Sequence, residues 1–408
     1  MPRAHVQAGG GVQHAGSFAY LLHRRDAVLA NPPGTAPSHR QAVNAGADSA
    51  AACVLFSNFA IDGPGATRWT GEVVLAGLPA SHPIDLAAEI ASLDQGLQLA
   101  RERGAQHIGL SATAACLTSG GLDLVRDDCC LSSGLALRTS AMAGVLDGAM
   151  DRLARNWSSQ TAAVLGANTQ LGRAATGLLA ERVSRLVLIG EPPVGEVHGR
   201  AALLAVAAEA CARLARGRGR GPLAVQVREL LGRTASLSAL AMAPVVERMV
   251  QIGAIVLTTD RQRFRQATVG VLASVGDTAL TPAMLRTASV VCDMHSPPRI
   301  PRELADSRPD LLVLDAGRFE RRTDAAPSGL LGSRGLPPAL VEALVLCADG
   351  SREHSGLGGR IESAEVSRLM ARASAFGFEL SPLSSYGERV PAAQWELLRK
   401  LRVFPGAA

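Results

Sequence analysis

The stretch between residues 162 and 189 constrains this chain most. Residues 162–165 are an apolar run of strand length, Gly166-Ala167-Asn168-Thr169-Gln170-Leu171-Gly172-Arg173 is a turn opening a helix, and residues 186–189 are a second apolar run. Strand, glycine-bounded turn, helix and strand in that order form the mononucleotide-binding half of a doubly wound sheet. Parallel strands must be covered on both faces, so such a unit requires further elements around it. The chain supplies them at 254–257, 269–272, 289–292 and 311–314, each apolar and each followed by polar, Gly or Pro residues. The pattern predicts an α/β protein with a Rossmann-type doubly wound parallel sheet in a dinucleotide-binding domain over 131–325.

The flanks read differently. Val54-Leu55-Phe56 and Val73-Val74-Leu75 are separated by the turn cluster Asp62-Gly63-Pro64-Gly65, as expected of a strand pair. Leu86, Ile90, Leu93 and Leu97 recur at helical spacing behind Pro83 and Asp85, and the pattern stops at Arg101, Arg103 and Gly104, cations followed by a C-terminal glycine. His107-Ile108-Gly109-Leu110 then reads as a strand. An α/β N-terminal, substrate-side domain is therefore expected over 1–130, with its first fifty residues irregular. A small-residue helix is expected at 134–153. Helices at 339–348, 363–375 and 392–402 suggest a helical C-terminal segment over 326–408.

Composition removes several chemistries. Lys400 is the only lysine, and Tyr20 and Tyr386 are the only tyrosines. A Gly-Lys-Ser/Thr phosphate loop, a Tyr-x-x-x-Lys dehydrogenase pair and a lysine Schiff base outside the extreme C-terminus are thereby excluded. A formal charge of +5 over 408 residues is too small and scattered for a nucleic-acid-binding stripe. No run is apolar enough to span a bilayer, and no secretory signal precedes Gly9-Gly10-Gly11. Seven cysteines without a C-x-x-C and nine histidines without an H-x-x-x-H argue for reduced thiols in a cytoplasm and against a metal site. The run Arg216-Gly217-Arg218-Gly219-Arg220-Gly221 reads as a solvated loop. Its rival is a guanidinium patch for phosphate or an acidic carrier protein.

In a Rossmann turn the first glycine permits the bend, the second lets backbone approach pyrophosphate, and the third brings helix close to strand. Gly166 and Gly172 hold the first and third places. Thr169 stands in the middle, where its hydroxyl is a candidate phosphate donor. Asn168, Gln170, Leu171 and Arg173 complete the expected cofactor turn. Glu191, 19 residues beyond Gly172, would accept hydrogen bonds from ribose hydroxyls and repel a 2′-phosphate. NAD(H) is thus expected over NADP(H), with Arg173 and Arg185 as cations able to oppose that preference. Ser274, ending another strand, would flank the nicotinamide ribose.

Several stretches, in order, resemble the family of cyanobacterial-type long-chain acyl-(acyl-carrier-protein) reductases and related predicted amino-acid dehydrogenases. They are residues 71–79 (GEVVLAGLP), 103–121 (RGAQHIGLSATAACLTSGG), Ser132-Ser133-Gly134, the 166–173 turn, 277–301 (DTALTPAMLRTASVVCDMHSPPRIP), 308–317 (RPDLLVLDAG) and Gly335-Leu336-Pro337-Pro338. The resemblance implies a three-part molecule that reduces an acyl thioester to an aldehyde with a nicotinamide cofactor, through a cysteine acyl-enzyme. The chain departs from this pattern in three places. No cysteine stands in Ala339-Leu340-Val341-Glu342-Ala343, where the family nucleophile is expected; Ser132-Ser133-Gly134-Leu135 replaces Thr-Thr-Gly-Asn; and Glu191 replaces an arginine.

These departures favour direct hydride transfer to a carbonyl or imine of an acyl or aminoacyl-type intermediate, small or carrier-bound. A cofactor- or partner-binding subunit without turnover is the alternative. Thioester reduction through Cys347 or Cys116 is the least favoured. His295, after the strand ending near Asp293, is a candidate proton donor, and Ser133 a candidate partner of the substrate carbonyl or the nicotinamide amide. The competing roles are a loop histidine and a helix cap. Homo-oligomerisation is left open.

Overall fold

The computed structural model describes residues 13–24, 26, 53–62, 67–77, 85–191, 199–217, 219–231, 238, 240–273, 280–295, 298–321, 335–359, 361 and 363–401. Ser274 and the centre of the Asp62–Gly65 turn lie outside them. The chain divides into two compact units, one of 1–134, 321–357 and 367–379, the other of 135–320, 358–366 and 380–408. The 326–408 segment, expected as a separate helical part, is shared between them and also carries the strands Phe378–Leu380, Ser384–Ser385 and Glu388–Arg389.

The first unit is built on a five-stranded sheet in the order β2-β3-β1-β4-β5. Its strands are β1 (Gln13–His23), β2 (Cys53–Asp62), β3 (Thr67–Ala76), β4 (His107–Leu110) and β5 (Cys130–Ser132). β2 runs antiparallel to β3, and the other pairings are parallel. The strand β1 corrects the expectation of an irregular start. It is the centre of the sheet, and Phe18, Ala19 and Leu21 are fully buried, so it shows a continuous apolar run instead of alternation.

Helix α1 (Leu86–Glu102), followed after β4 by the short α2 (Ala112–Leu117), begins where Asp85 accepts hydrogen bonds from the amides of Ala87 and Ala88. It lays Leu93 and Leu97, both wholly buried, against Ala19, Leu21, Val74 and Ala76. Each such leucine contributes about 1.5–3 kcal/mol of burial. On the other face the helix Pro338–Ala348 rests on glycines: a Cβ at Gly109 would stand 2.6 Å from the Ala339 carbonyl oxygen, and one at Gly134 2.2 Å from the Ala339 Cβ. A carboxylate is enclosed there. Glu342 is fully buried, and its Oε1 accepts from the hydroxyls of Ser132 (2.6 Å) and Ser355 (3.1 Å).

The second unit holds a six-stranded, all-parallel sheet: β6 (Thr161–Leu165), β7 (Arg185–Ile189), β8 (Ile255–Thr258), β9 (Val269–Leu272), β10 (Val290–Asp293) and β11 (Leu312–Asp315). Their order across the sheet is β8-β7-β6-β9-β10-β11. From β6 the chain winds outward twice, returns to the other side of β6, and winds outward in the opposite direction, which is Rossmann order. Successive residues face two separate cores. One is packed by α3 (Leu135–Leu153), α4 (Gln170–Ala180), α5 (Gly199–Ala215), α6 (Pro222–Leu231) and α7 (Ala243–Gln251). The opposite face is covered by shorter pieces, with Phe264, Leu280, Leu285 and Ile300 against it. The tip of the Phe264 ring approaches β9 closely because Gly270 offers no side chain: a Cβ there would meet the ring at 2.3 Å.

Two glycines of the arginine–glycine run pack closely on the neighbouring helix end. Gly221 donates to the Glu181 carbonyl, and a Cβ at Gly219 would come within 2.7 Å of Glu181 Cα. The glycines let this loop pack on the end of α4.

Glu342 gives a first testable prediction. Glu342→Ala removes the acceptor of two buried hydroxyls and opens a cavity, and should lower unfolding free energy by about 3 kcal/mol. Glu342→Gln retains one acceptor oxygen and should cost less. Urea denaturation of both variants checks the ranking, and equal losses would contradict it.

Candidate functional site

The sheet reverses its winding between β6 and β9, and ligands of open α/β sheets sit outside the carboxyl ends of the strands at such a point. The first wall is the turn after β6. Gly166 has φ +79°, a left-handed conformation that a side chain would disfavour. Its amide and that of Ala167 both donate to the Ile189 carbonyl, at 2.9 and 3.1 Å. Asn168 pairs its side-chain amide with the backbone of Glu191, donating to the carbonyl and accepting from the amide, both at 3.0 Å. Helix α4 then starts against the turn. A Cβ at Gly172 would lie 2.0 Å from the Gly166 carbonyl oxygen.

Thr169 departs from its expected role. As N-cap of α4 it accepts from the Gly172 amide at 3.0 Å, and its single proton is directed at the carbonyls of Gly166 and Ala273, 2.8 and 2.9 Å away. The hydroxyl therefore laces the turn to the end of β9 and is spent inside the protein, not held out for phosphate. The amides of Gln170 and Leu171, in the first helical turn, make no hydrogen bond among the described residues. Those two donors and the positive end of the helix are what an anion would meet. The sequence reading did not include Gly359, whose backbone abuts Gln170: a Cβ there would be 2.7 Å from Gln170 Cγ.

Glu191 is largely buried at the end of β7. The two cations expected beside it are engaged elsewhere. Arg173 pairs with Glu209 on α5 at 3.3 Å. Arg185 opens β7 and donates to Gly253 and Gln266 at the amino edge of the sheet, about 13 Å along the strand from its carboxyl end.

The second wall belongs to β9, β10 and β11. Leu272, Asp293 and Asp315 are neighbours in register, and the Met294 amide donates to the Leu272 carbonyl. His295 follows immediately, two strand spacings or fewer from the mouth, on the order of 5–10 Å. Its Nδ1 lies 2.7 Å from Asp293 Oδ1, which also accepts the His295 amide at 3.1 Å. Asp293 is wholly buried, and its Oδ2 accepts from the amides of Arg299 and Ile300. Asp315 accepts from Ser384 Oγ and the Gly387 amide, both at 2.7 Å. The Tyr386 hydroxyl donates to the Ile300 carbonyl at 2.9 Å. Burial first, and the nearby Asp293 and Asp315 carboxylates next, push that phenol above its ordinary pKa. Tyr386 and Gly387 both have positive φ, as a two-residue hairpin requires.

Ser133 and Cys347 belong to the first unit, whereas the turn after β6 and His295 belong to the second. Ser133 is buried in the first unit, where its hydroxyl donates to the Gly356 carbonyl at 2.7 Å. That engagement corrects its proposed carbonyl-binding role. Cys347 is buried in the same unit, its Sγ 3.7 Å from the Ser17 carbonyl oxygen, and burial raises its pKa to about 11. A thiol so placed is protonated near neutrality and shielded, the reverse of what a nucleophile needs. Cys211 is pushed to about 12 and Cys292 well above its ordinary value, both chiefly by burial. Cys116 is exposed. No group of three or more His, Cys, Asp or Glu residues among those described is arranged to hold a metal.

Asp293 is the functional candidate that sequence reasoning passed over. Its signal was an acidic residue two positions before the histidine at a strand end.

No family model matches the chain. Aminotransferase PigE of Serratia sp. (strain ATCC 39006) is 28% identical over 142 residues, covering 33% of this chain and 16% of that protein, so most of the relative lies outside the match. A solved glutamate dehydrogenase overlaps with a TM-score of 0.33 and 10% identity, covering 89% of this chain and 71% of that one. The strand order itself gives the Rossmann-type fold. Among the described residues, no helix is long and apolar enough to cross a membrane.

The thiol environments predict a labelling order. At pH 8 a thiol of pKa about 11 is ionised to roughly one part in a thousand, so iodoacetamide should modify Cys116 well before Cys347, Cys211 or Cys292. Peptide mass mapping over time checks this, and early labelling of Cys347 would reverse the assignment.

Proposed function

We propose that this chain is a nicotinamide-dependent oxidoreductase acting directly on a carbonyl or imine, with His295 as its proton donor. The supporting observation is the pairing of two features in one sheet. A glycine-bounded turn with unspent amides stands on one side of the winding reversal, and a carboxylate-held imidazole stands at the strand ends of the other half.

The residues fit such a cofactor. Gly166 and Gly172 form the tight turn, the Gln170 and Leu171 amides would take the pyrophosphate, and Glu191 would accept from the ribose hydroxyls. A reduced nicotinamide bound there supplies a hydride to the carbonyl or imine carbon. His295 delivers the accompanying proton to the oxygen or nitrogen, leaving an alcohol or an amine. Ser274, the residue after Ala273, remains proposed beside the nicotinamide ribose. The substrate is an acyl or aminoacyl-type intermediate, small or tethered to a carrier, and the resemblance to acyl-carrier-protein reductases supports that class. A cytoplasmic site of action accords with the free thiols.

NADH should bind at least about 10-fold more tightly than NADPH, a difference of roughly 1.4 kcal/mol, because Glu191 meets a 2′-phosphate with like charge. Fluorescence titration measures both constants, and tighter NADPH binding would refute the preference. With a panel of aldehydes, imines and acyl thioesters, NADH consumption should appear with an aldehyde or imine. His295→Gln should lower kcat about 100-fold or more. If no substrate class consumes NADH, the proposal of catalysis fails.

A second reading has its own observation. The Thr169 hydroxyl spans the mouth between the turn and Ala273, occupying the place of the glycine that admits pyrophosphate. A chain that binds a nucleotide or partner without turnover would tolerate that, and would show binding in the titration with no oxidation.

A further inference from the structure

Resting on the proposed role of His295, we infer that Asp293 is a positioning residue that fixes the imidazole in one tautomer and orientation, with Nε2 as the proton-exchanging nitrogen. Donor and acceptor chemistry fixes the tautomer. A carboxylate only accepts, so the 2.7 Å approach of Nδ1 to Asp293 Oδ1 places a proton on Nδ1. The same oxygen takes the His295 amide, and the other takes the amides of Arg299 and Ile300. Both oxygens are therefore anchored, in a fully buried side chain at the end of an interior strand. The Asp315 carboxylate lies beside Asp293 in register, and the Tyr386 hydroxyl closes the same end of the sheet through Ile300. When Nε2 gives its proton to the reduced oxygen or nitrogen, the remaining proton stays on Nδ1 facing Asp293, and the imidazole is left neutral.

The asparagine variant has a directional consequence. An amide offers one accepting oxygen and one donating nitrogen. If the oxygen stays with the Arg299 and Ile300 amides, one backbone donor, that of His295, loses its partner; the opposite orientation leaves two without one. The amide nitrogen should thus turn toward His295, donate to Nδ1 and force the proton onto Nε2.

Nitrogen-15 labelling of histidine in the full chain, with long-range proton–nitrogen correlation at pH 9, reads the tautomer without substrate or cofactor. The His295 signal is identified by its loss in His295→Gln. The expected result is an Nδ1–H tautomer in the native protein and an Nε2–H tautomer in Asp293→Asn. An Nε2–H tautomer in the native protein overturns the inference without requiring any change at Asp293. So does an unchanged Nδ1–H signal in a folded Asp293→Asn. With a turned-over substrate, Asp293→Asn should lower kcat about 10- to 100-fold with KM within about threefold, and add little loss to His295→Gln. Absence of any turnover in the native protein would count against the proposed activity alone, because the tautomer measurement stands apart from it.

Discussion

The approach of Gly172 to the carbonyl of Gly166 sets the geometry on which the second unit depends. With no Cβ between them, α4 starts directly at the end of β6 and packs over the sheet, while the turn is folded back onto β7 through the Ile189 carbonyl and the Asn168–Glu191 backbone pair. A side chain at Gly172 would have to displace backbone, not a flexible neighbour. The same approach leaves the Gln170 and Leu171 amides at the rim of the reversal in winding, where an anion would find them. Fold and candidate site thus follow from one steric requirement.

The distribution of buried polar groups separates architecture from candidate chemistry. In the first unit the Ser132 and Ser355 hydroxyls donate to the buried Glu342, and the Ser133 hydroxyl donates to the Gly356 carbonyl. The Cys347 thiol lies close by in a helix that is apolar almost throughout. Burial keeps it protonated, which disfavours Cys347 as a nucleophile for a physical reason. Asp293 is equally buried, but its anchored carboxylate holds a histidine that is partly exposed at the strand ends. One carboxylate secures a core, and the other secures a group able to meet a substrate.

Much of the second unit was legible because its strands are short, apolar and punctuated. The runs at 162–165, 186–189 and 269–272 appear within a residue of their expected places, and the glycines at 166 and 172 carry recognisable steric demands. β1 was not legible. Both its faces are buried, it lacks a period, glycines precede and interrupt it, and its neighbours in the sheet arrive from more than forty residues along the chain. Thr169 illustrates a different limit. A threonine in a phosphate turn and a threonine capping a helix have the same local sequence, and only the position of the Ala273 carbonyl, 104 residues away, decides where the hydroxyl points.

The sequence by itself determined that the second half would wind as parallel strands about a glycine turn, and that lysine and tyrosine–lysine chemistry were unavailable. Apolar periodicity, turn sterics and residue counts are local or compositional properties that need no partner. Tertiary structure decided which polar groups are spent and which are presented. It turned Arg173 and Arg185 away from Glu191, closed Ser133 and Cys347 into a core, and put Asp293 behind His295. Those outcomes depend on which distant carbonyl, amide or carboxylate arrives within hydrogen-bonding distance, and on the burial that makes leaving one unmatched costly.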